Sequence, residues 1–441
     1  MTFLERRFSL AANGTTIRTE LLAGLTTFLT MAYIVFVQPA VLSAAGMDFG
    51  AVLVATCLAT ALATTLMALL ANYPIAVAPA MGHNFFFAYS VVLAMHVPWQ
   101  IALGAVALAG AVFVLTAGVG LREHLITAIP QSLKHAIAAG IGLLIATVGL
   151  EWAGLIVGAP GTLVTLGDLH SRPVLLALFG LTLTAILAAR KIPGAFLWGI
   201  LATTAIGLPL GVVRYQGFVD VPPSIRPTLF QLDVLGAFSP SMVSVVLVFF
   251  FLALFDSVGT LVGVGEQAGL MRNGTLPRAR QALLADAIGT VAGAALGTST
   301  VTAYIESGAG VAAGGRTGLA SLVTAALFLL SLFVHPLVKM IGGGVPVGQA
   351  TLYPVISAPL ILVGTMMIGG LRKVPWDDLT EAIPAFLTII MMPLSVSITE
   401  GVAFGLIAYV VLKTASGRHR EVHLLLYVFA VLFVARYAFL R

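Results

Sequence analysis

Residues 74–84 read Pro74-Ile75-Ala76-Val77-Ala78-Pro79-Ala80-Met81-Gly82-His83-Asn84, and this stretch decides the architecture. Two prolines and a glycine within nine residues disfavour a continuous regular helix, because proline removes a backbone donor and clashes with the preceding turn. A matching interruption occurs at Gly297-Thr298-Ser299-Thr300-Val301-Thr302, where β-branched residues favour extended backbone. Each stretch leads into a plausible half-helix, beginning near Gly82 and near Tyr304. The expectation is that the two extended pieces meet and that the half-helix N-termini face a common cavity. Their positive dipole ends would favour electron-rich ligand atoms. The alternative is two loops flanking short helices.

The surroundings of both stretches are suited to lipid. Of 441 residues, 59% are hydrophobic and 9% charged, with a mean hydropathy of +1.07. A soluble domain carries about a quarter charged residues, so this chain could not cover a water-facing surface. A bilayer core takes roughly 20 apolar residues per helical span, and spanning helices satisfy their own backbone hydrogen bonds. The fold class expected is an all-α polytopic membrane protein. Spans read near 20–41, 50–71, 76–93, 99–120, 133–150, 173–189, 193–213, 238–265, 279–296, 300–314, 316–338, 348–369, 379–394 and 397–413. With the N-terminus inside, sixteen Lys and Arg fall in cytoplasmic loops, Arg122, Lys134, Arg272, Lys373 and Lys413 among them. Four fall outside: Arg172, Arg214, Arg226 and Lys339. That bias follows the positive-inside rule and explains the net charge of +5 without nucleic acid. Residues 423–440 are largely apolar, interrupted by Arg436. They read as a further span, a replacement for a short span within 379–413, or an interfacial helix. The first eighteen residues hold Glu5, Arg6, Arg7 and Arg18 and no apolar h-region, so a cleaved secretory signal is not expected. Cys57 is the single cysteine, which excludes an intramolecular disulfide and suggests no cysteine-based metal site.

Transporters are often built from two inverted halves, with the site where paired helices break. An offset of 223 residues sets Ala44-Ala45-Gly46-Met47 on Gln267-Ala268-Gly269-Leu270, Tyr33 on Asp256 and His83 on Glu306. Acids within spans need a reason, since a charge at a helix centre costs roughly 2.5–3.5 kcal/mol on insertion scales. Asp256 lies deep in Phe249-Phe250-Phe251-Leu252-Ala253-Leu254-Phe255-Asp256, and Glu306 opens the tenth half-helix. A carboxyl that accepts a ligand N–H when ionised and donates when protonated couples proton binding to ligand binding. Either acid could instead pair with a buried donor. Asp286 reads equally as a structural hydrogen-bonder or a relay. His83 reads as a partner of Glu306 or a satisfied histidine, and Asn84 as a heterocycle contact or an N-cap. Phe85, Phe86 and Phe87 could stack on a ring or pack against neighbours. Gly314-Gly315-Arg316-Thr317-Gly318 lacks the lysine of a phosphate loop and reads as a tight turn. No nucleophile cluster, metal site or cofactor motif is visible, so an enzyme is not expected.

These segments resemble the nucleobase:cation symporters, specifically the azaguanine-type hypoxanthine/guanine/adenine permease branch. The matching stretches are Thr26–Tyr33, Ala78–Asn84, Leu254–Thr260, Gly297–Ser307, Gly314–Gly318 and Ile389–Leu394, in order between about residues 15 and 415. The resemblance implies fourteen spans as two inverted seven-span repeats, divided into core and gate domains. The repeats would cover 20–236 and 237–414, after a cytoplasmic N-terminus at 1–19 and before a C-terminal segment at 415–441. It implies that a purine base binds between the third, eighth and tenth spans. Asp256 and Glu306 would hold the base, with Asn84, His83 and Phe86 nearby. Proton symport into the cell across the inner membrane, by alternating access, is the implied activity, and a homodimer an expected assembly. Two departures stand out: the pattern has an acid where this chain has Ala253, and an aliphatic residue where it has His83. The main rival is an anion carrier of related architecture, which two carboxylates would oppose by repulsion.

Overall fold

The computed structural model describes residues 3–119, 130–159, 161–271, 276–348 and 350–439. Arg122 and Arg272, two of the cations assigned to cytoplasmic loops, lie outside them. Among the described residues eight helical segments are long and apolar enough to cross a membrane, and four further apolar helices are shorter.

The first apolar segment is two helices, α1 (Ile17–Met31) and α2 (Ile34–Ala44), with Tyr33 at their junction. Helix α3 (Phe49–Leu66) starts on the Asp48 carboxylate, which accepts the Ala51 N–H at 2.8 Å. Strand β1 (Val77–Pro79) and helix α4 (Met81–Phe85) follow, α4 widening into a π-helical stretch through Ala94. Next come α5 (Trp99–Val119), α6 (Gln131–Trp152) and a hairpin of β2 (Ile156–Ala159) and β3 (Thr162–Leu166). Helices α7 (Arg172–Ala189) and α8 (Ala195–Gly207) precede a long irregular crossing to α9 (Val243–Gln267) and α10 (Ala279–Leu296). Strand β4 (Val301–Ala303), α11 (Ser307–Ala312), α12 (Gly318–Leu330) and α13 (His335–Gly342) come next. A second hairpin, β5 (Val345–Val347) and β6 (Ala350–Leu352), leads to α14 (Ser357–Met367), α15 (Leu379–Ser395), α16 (Ile398–Ala415) and α17 (Leu424–Phe439).

The helices sort into two bundles. In one, α12 packs on α1 and α3, and α10 on α3 and α5; in the other, α6 packs on α14 and α15, α15 on α16, and α7 on α8 and α14. Close approach follows from small residues. A Cβ at Gly142 would sit 2.8 Å from the Gly364 carbonyl, and one at Gly364 would sit 2.4 Å from that of Gly142. The turn Gly314–Gly318 is anchored by the buried Glu20, whose carboxylate accepts the N–H groups of Arg316 at 2.8 Å and Ala320 at 3.1 Å. This places a negative charge on the N-terminus of α12, where the helix dipole favours it.

Several sequence expectations shift in detail. The spans read at 300–314 and 348–369 are only partly helical, because β4 and the hairpin β5–β6 occupy their first residues. Helix α17 forms alongside α15 and α16 and packs on α16.

Candidate functional site

The two interrupted segments meet. Strands β1 and β4 pair antiparallel, with Val77 opposite Ala303, Ala78 opposite Thr302 and Pro79 opposite Val301. Tyr304 N–H to the Ala76 carbonyl (2.9 Å) and Ala80 N–H to the Thr300 carbonyl (3.0 Å) extend the ladder at both ends. A two-stranded ribbon leaves outer backbone groups unpaired, which lipid depth does not tolerate. Threonines from the preceding helices supply the missing partners. Thr64 of α3 bonds both the N–H and the carbonyl of Val77 at 2.9 Å. Thr290 of α10 does the same for Val301, at 3.2 and 2.8 Å. The two halves thus solve one backbone problem in the same way.

The acids lie around this ribbon. Asp256, midway along α9, accepts the Thr302 hydroxyl at 2.8 Å through Oδ2. Its side chain is 45% exposed and lines an open cavity of about 880 Å³. Glu306 immediately precedes α11, is half-buried, and accepts the Tyr33 hydroxyl at 2.9 Å through Oε1. Edge-on contact with Phe196, ring centroids 5.4 Å apart, fixes the Tyr33 ring. His83 lines the same cavity but is only 4% exposed, with Nε2 4.0 Å from Asp256 Oδ2 and Nδ1 buried without a partner. It faces Asp256 rather than Glu306.

The remaining candidates sit further back. Asn84 is fully buried and its Oδ1 accepts the Ser299 hydroxyl, tying α4 to the start of the second interrupted stretch. Gln38 of α2 reinforces that stretch, donating to the Thr298 hydroxyl at 3.0 Å. Phe86 is buried against Phe249, centroids 4.7 Å apart, and is outside the cavity lining. Asp286 accepts the Ala303 N–H at 3.3 Å from behind β4. Tyr33 and Thr302, the two hydroxyls that hold the acids, were not singled out from sequence as site residues. The signal available was their membership of two motifs that carry the family resemblance, Thr26–Tyr33 and Gly297–Ser307, the second of which also holds Glu306. Among the described residues no cluster of three or more His, Cys, Asp or Glu has the arrangement of a metal site.

Comparison with known proteins agrees with this architecture. The transmembrane domain of the cyanobacterial bicarbonate transporter BicA superposes with a TM-score of 0.61 over 89% of this chain and 97% of that one, at 18% identity. That likeness concerns the fold. Adenine permease AdeP of Escherichia coli (strain K12) is 47% identical over 99% of this chain and 96% of its own. Guanine/hypoxanthine permease PbuG of Bacillus subtilis (strain 168) is 46% identical, covering 97% of this chain and 98% of its own. Residues 18–404 match the Xan_ur_permease model, described as a permease family. With interrupted helices joined back to back and full-length relatives of this kind, the chain belongs to that permease family, the nucleobase:cation symporters.

Proposed function

We propose that this protein imports purine nucleobases across the inner membrane by proton symport, with its N-terminus in the cytoplasm. The observation that carries the reading is the pair of acids beside the β1–β4 ribbon: Asp256, bonded to Thr302 of β4 and opening on the cavity, and Glu306, three residues past β4 and bonded to Tyr33. One oxygen of each carboxyl is engaged by a hydroxyl, Thr302 for Asp256 and Tyr33 for Glu306. The other oxygen serves the N–H groups of the base. Such groups cannot be left unpaired in a desolvated site without a cost of about 1–3 kcal/mol each. In this mechanism a proton on either carboxyl turns an acceptor into a donor, which couples proton occupancy to ligand binding. His83 adjusts Asp256 from the third span, Asn84 holds the two interrupted segments together, and Phe86 backs the half-helix through Phe249.

Alternating access then consists of rocking one bundle against the other, with residues 20–236 and 237–414 as inverted repeats. The threonine brackets at Val77 and Val301 support that symmetry. An anion substrate finds support only in the likeness to a bicarbonate transporter, which at 18% identity concerns fold, and two carboxylates at the site oppose it. The relatives named for adenine and for guanine and hypoxanthine match at nearly equal identity, so a competition panel must choose the base. Cells expressing the chain should accumulate labelled hypoxanthine, guanine or adenine, and a protonophore should abolish the accumulation. Asp256→Asn and Glu306→Gln should each reduce uptake at least about tenfold, as loss of a charged hydrogen bond does. Uptake unchanged in both variants would remove the pair from the site.

A further inference from the structure

The cavity ends partway along one face of α6. Lys134, Ala138 and Ile141 line it. Continuing that face at three- and four-residue spacing gives Ile145, Val148 and Trp152, each 5% exposed or less. Among the described residues, none of α6 beyond Ile141 lines the cavity. The change falls where α6 meets the third-span half-helix: a Cβ at Gly82 would stand 2.6 Å from Ile141 Cγ2.

Beyond that crossing the two bundles are tied together. The Trp152 indole N–H donates to the Tyr89 hydroxyl at 3.0 Å. Tyr89 lies in the π-helical continuation of α4, which packs on α5 of the first bundle. Trp152 is held from its own bundle by Tyr353, whose N–H it accepts at 2.8 Å and whose ring centroid is 4.3 Å away. Phe85 stacks on Tyr89 at 5.5 Å. Next to Tyr89, the Ser90 hydroxyl donates to the Val396 carbonyl at the α15–α16 junction, at 3.0 Å. Both ties lie at the ends of α6, α15 and α16 opposite Lys134 and Lys413. The bundles are thus joined on the side that the charge bias sets outside, and the cavity parts them toward the other.

We propose that Trp152 and Tyr89 form the outer latch of the transport path, closed in this structure, and that their hydrogen bond breaks when the site opens to the outside. Broad rings exclude water from the closed seam. One neutral hydrogen bond shifts an equilibrium by about three- to tenfold, which is weak enough to open in every cycle. The inference rests on the alternating-access reading. Its test needs no purine, so failure of the latch and failure of the substrate assignment appear in different measurements.

The test places Val148→Cys in the full-length chain and applies a membrane-impermeant maleimide to intact cells. With the latch intact, the thiol should label slowly. Trp152→Phe and Tyr89→Phe keep a ring and remove the donor or the acceptor, and each should raise the rate about three- to tenfold. Combined, they should raise it no further than either alone, since both break one bond. Labelling unchanged in the single variants, or effects that multiply in the double variant, would overturn the proposal. The native Cys57, fully buried in α3, reports general loosening. The same variants without the engineered thiol should stay unlabelled, and labelling of Cys57 in step with residue 148 would also overturn the latch. If Trp152→Phe does not fold, Tyr89→Phe decides by itself.

Discussion

At the scale of single residues, Tyr33 deserves the first experiment because it touches the proposed chemistry without carrying charge. Its hydroxyl donates to Glu306 Oε1 at 2.9 Å, and its ring is fixed by Phe196. Tyr33→Phe preserves the ring packing and removes only the donor. A hydrogen bond to a charged group contributes about 1.5–3 kcal/mol, so the apparent KM for the purine should rise on the order of tenfold. Folding should be unaffected, as measured by the unfolding midpoint in detergent. An unchanged KM would mean that Glu306 is positioned by its backbone alone. The acids themselves were legible in the sequence because a carboxylate deep in an apolar run demands a cavity or a partner. Their hydroxyl partners were not, since Thr and Tyr are ordinary residues in such runs and a contact such as Tyr33 to Glu306 spans more than half the chain.

Elements show the same division. Two prolines near residue 79 and the Thr-rich stretch before Tyr304 announce interrupted helices, and the structure builds both as short strands. That the strands pair with one another, and that Thr64 and Thr290 close the ribbon's outer edges, depends on long-range packing that no local pattern records. Thr290→Val should leave the N–H and carbonyl of Val301 without partners, at about 1–3 kcal/mol for each unpaired group. It should lower the unfolding midpoint, whereas Thr→Val at the exposed Thr182 should not. A second element-level device is the charge clasp joining α15, α16 and the loop before α17. Lys413, 0% exposed, meets Glu381 and Glu421 at 2.7 Å each, and Arg418 meets Asp378 at 2.6 Å. Hydrogen bonds from Arg418 and then Lys413 pull the Glu421 carboxyl down to about 2. Those from Thr380 and Arg418 hold Asp378 well below the usual carboxylate range. For a depressed carboxyl the stabilisation is present above its unfolded value, near 4.3 for Glu, and is lost as pH falls toward the folded value. The clasp's contribution to the unfolding midpoint should therefore be constant between pH 7 and 5 and be lost between about pH 4 and 2. In Glu421→Gln that acid-limb fall should be shallower. An identical acid limb in the variant would show that the clasp contributes nothing to stability.

At the scale of the whole molecule, the two bundles touch along the seam that contains the cavity, and α17 straddles it. It packs on Tyr409 and Leu406 of α16 in one bundle and presents Phe429 to Phe251 of α9, the Asp256 helix, in the other. Rocking of one bundle against the other requires α17 to slide on at least one of these faces. A covalent tie between α17 and α9 leaves it only the α16 face, where the clasp already holds its root through Lys413 and Glu421. Phe251→Cys combined with Phe429→Cys, joined by a short reducible thiol crosslinker, should cut purine uptake about tenfold or more. Reductant should restore it, since nothing but the tie has changed. The native Cys57 is fully buried, so the engineered pair takes the reagent, and each single variant treated alike gives the background. Full crosslinking with undiminished uptake would place the moving seam elsewhere and make α17 a passenger on α9.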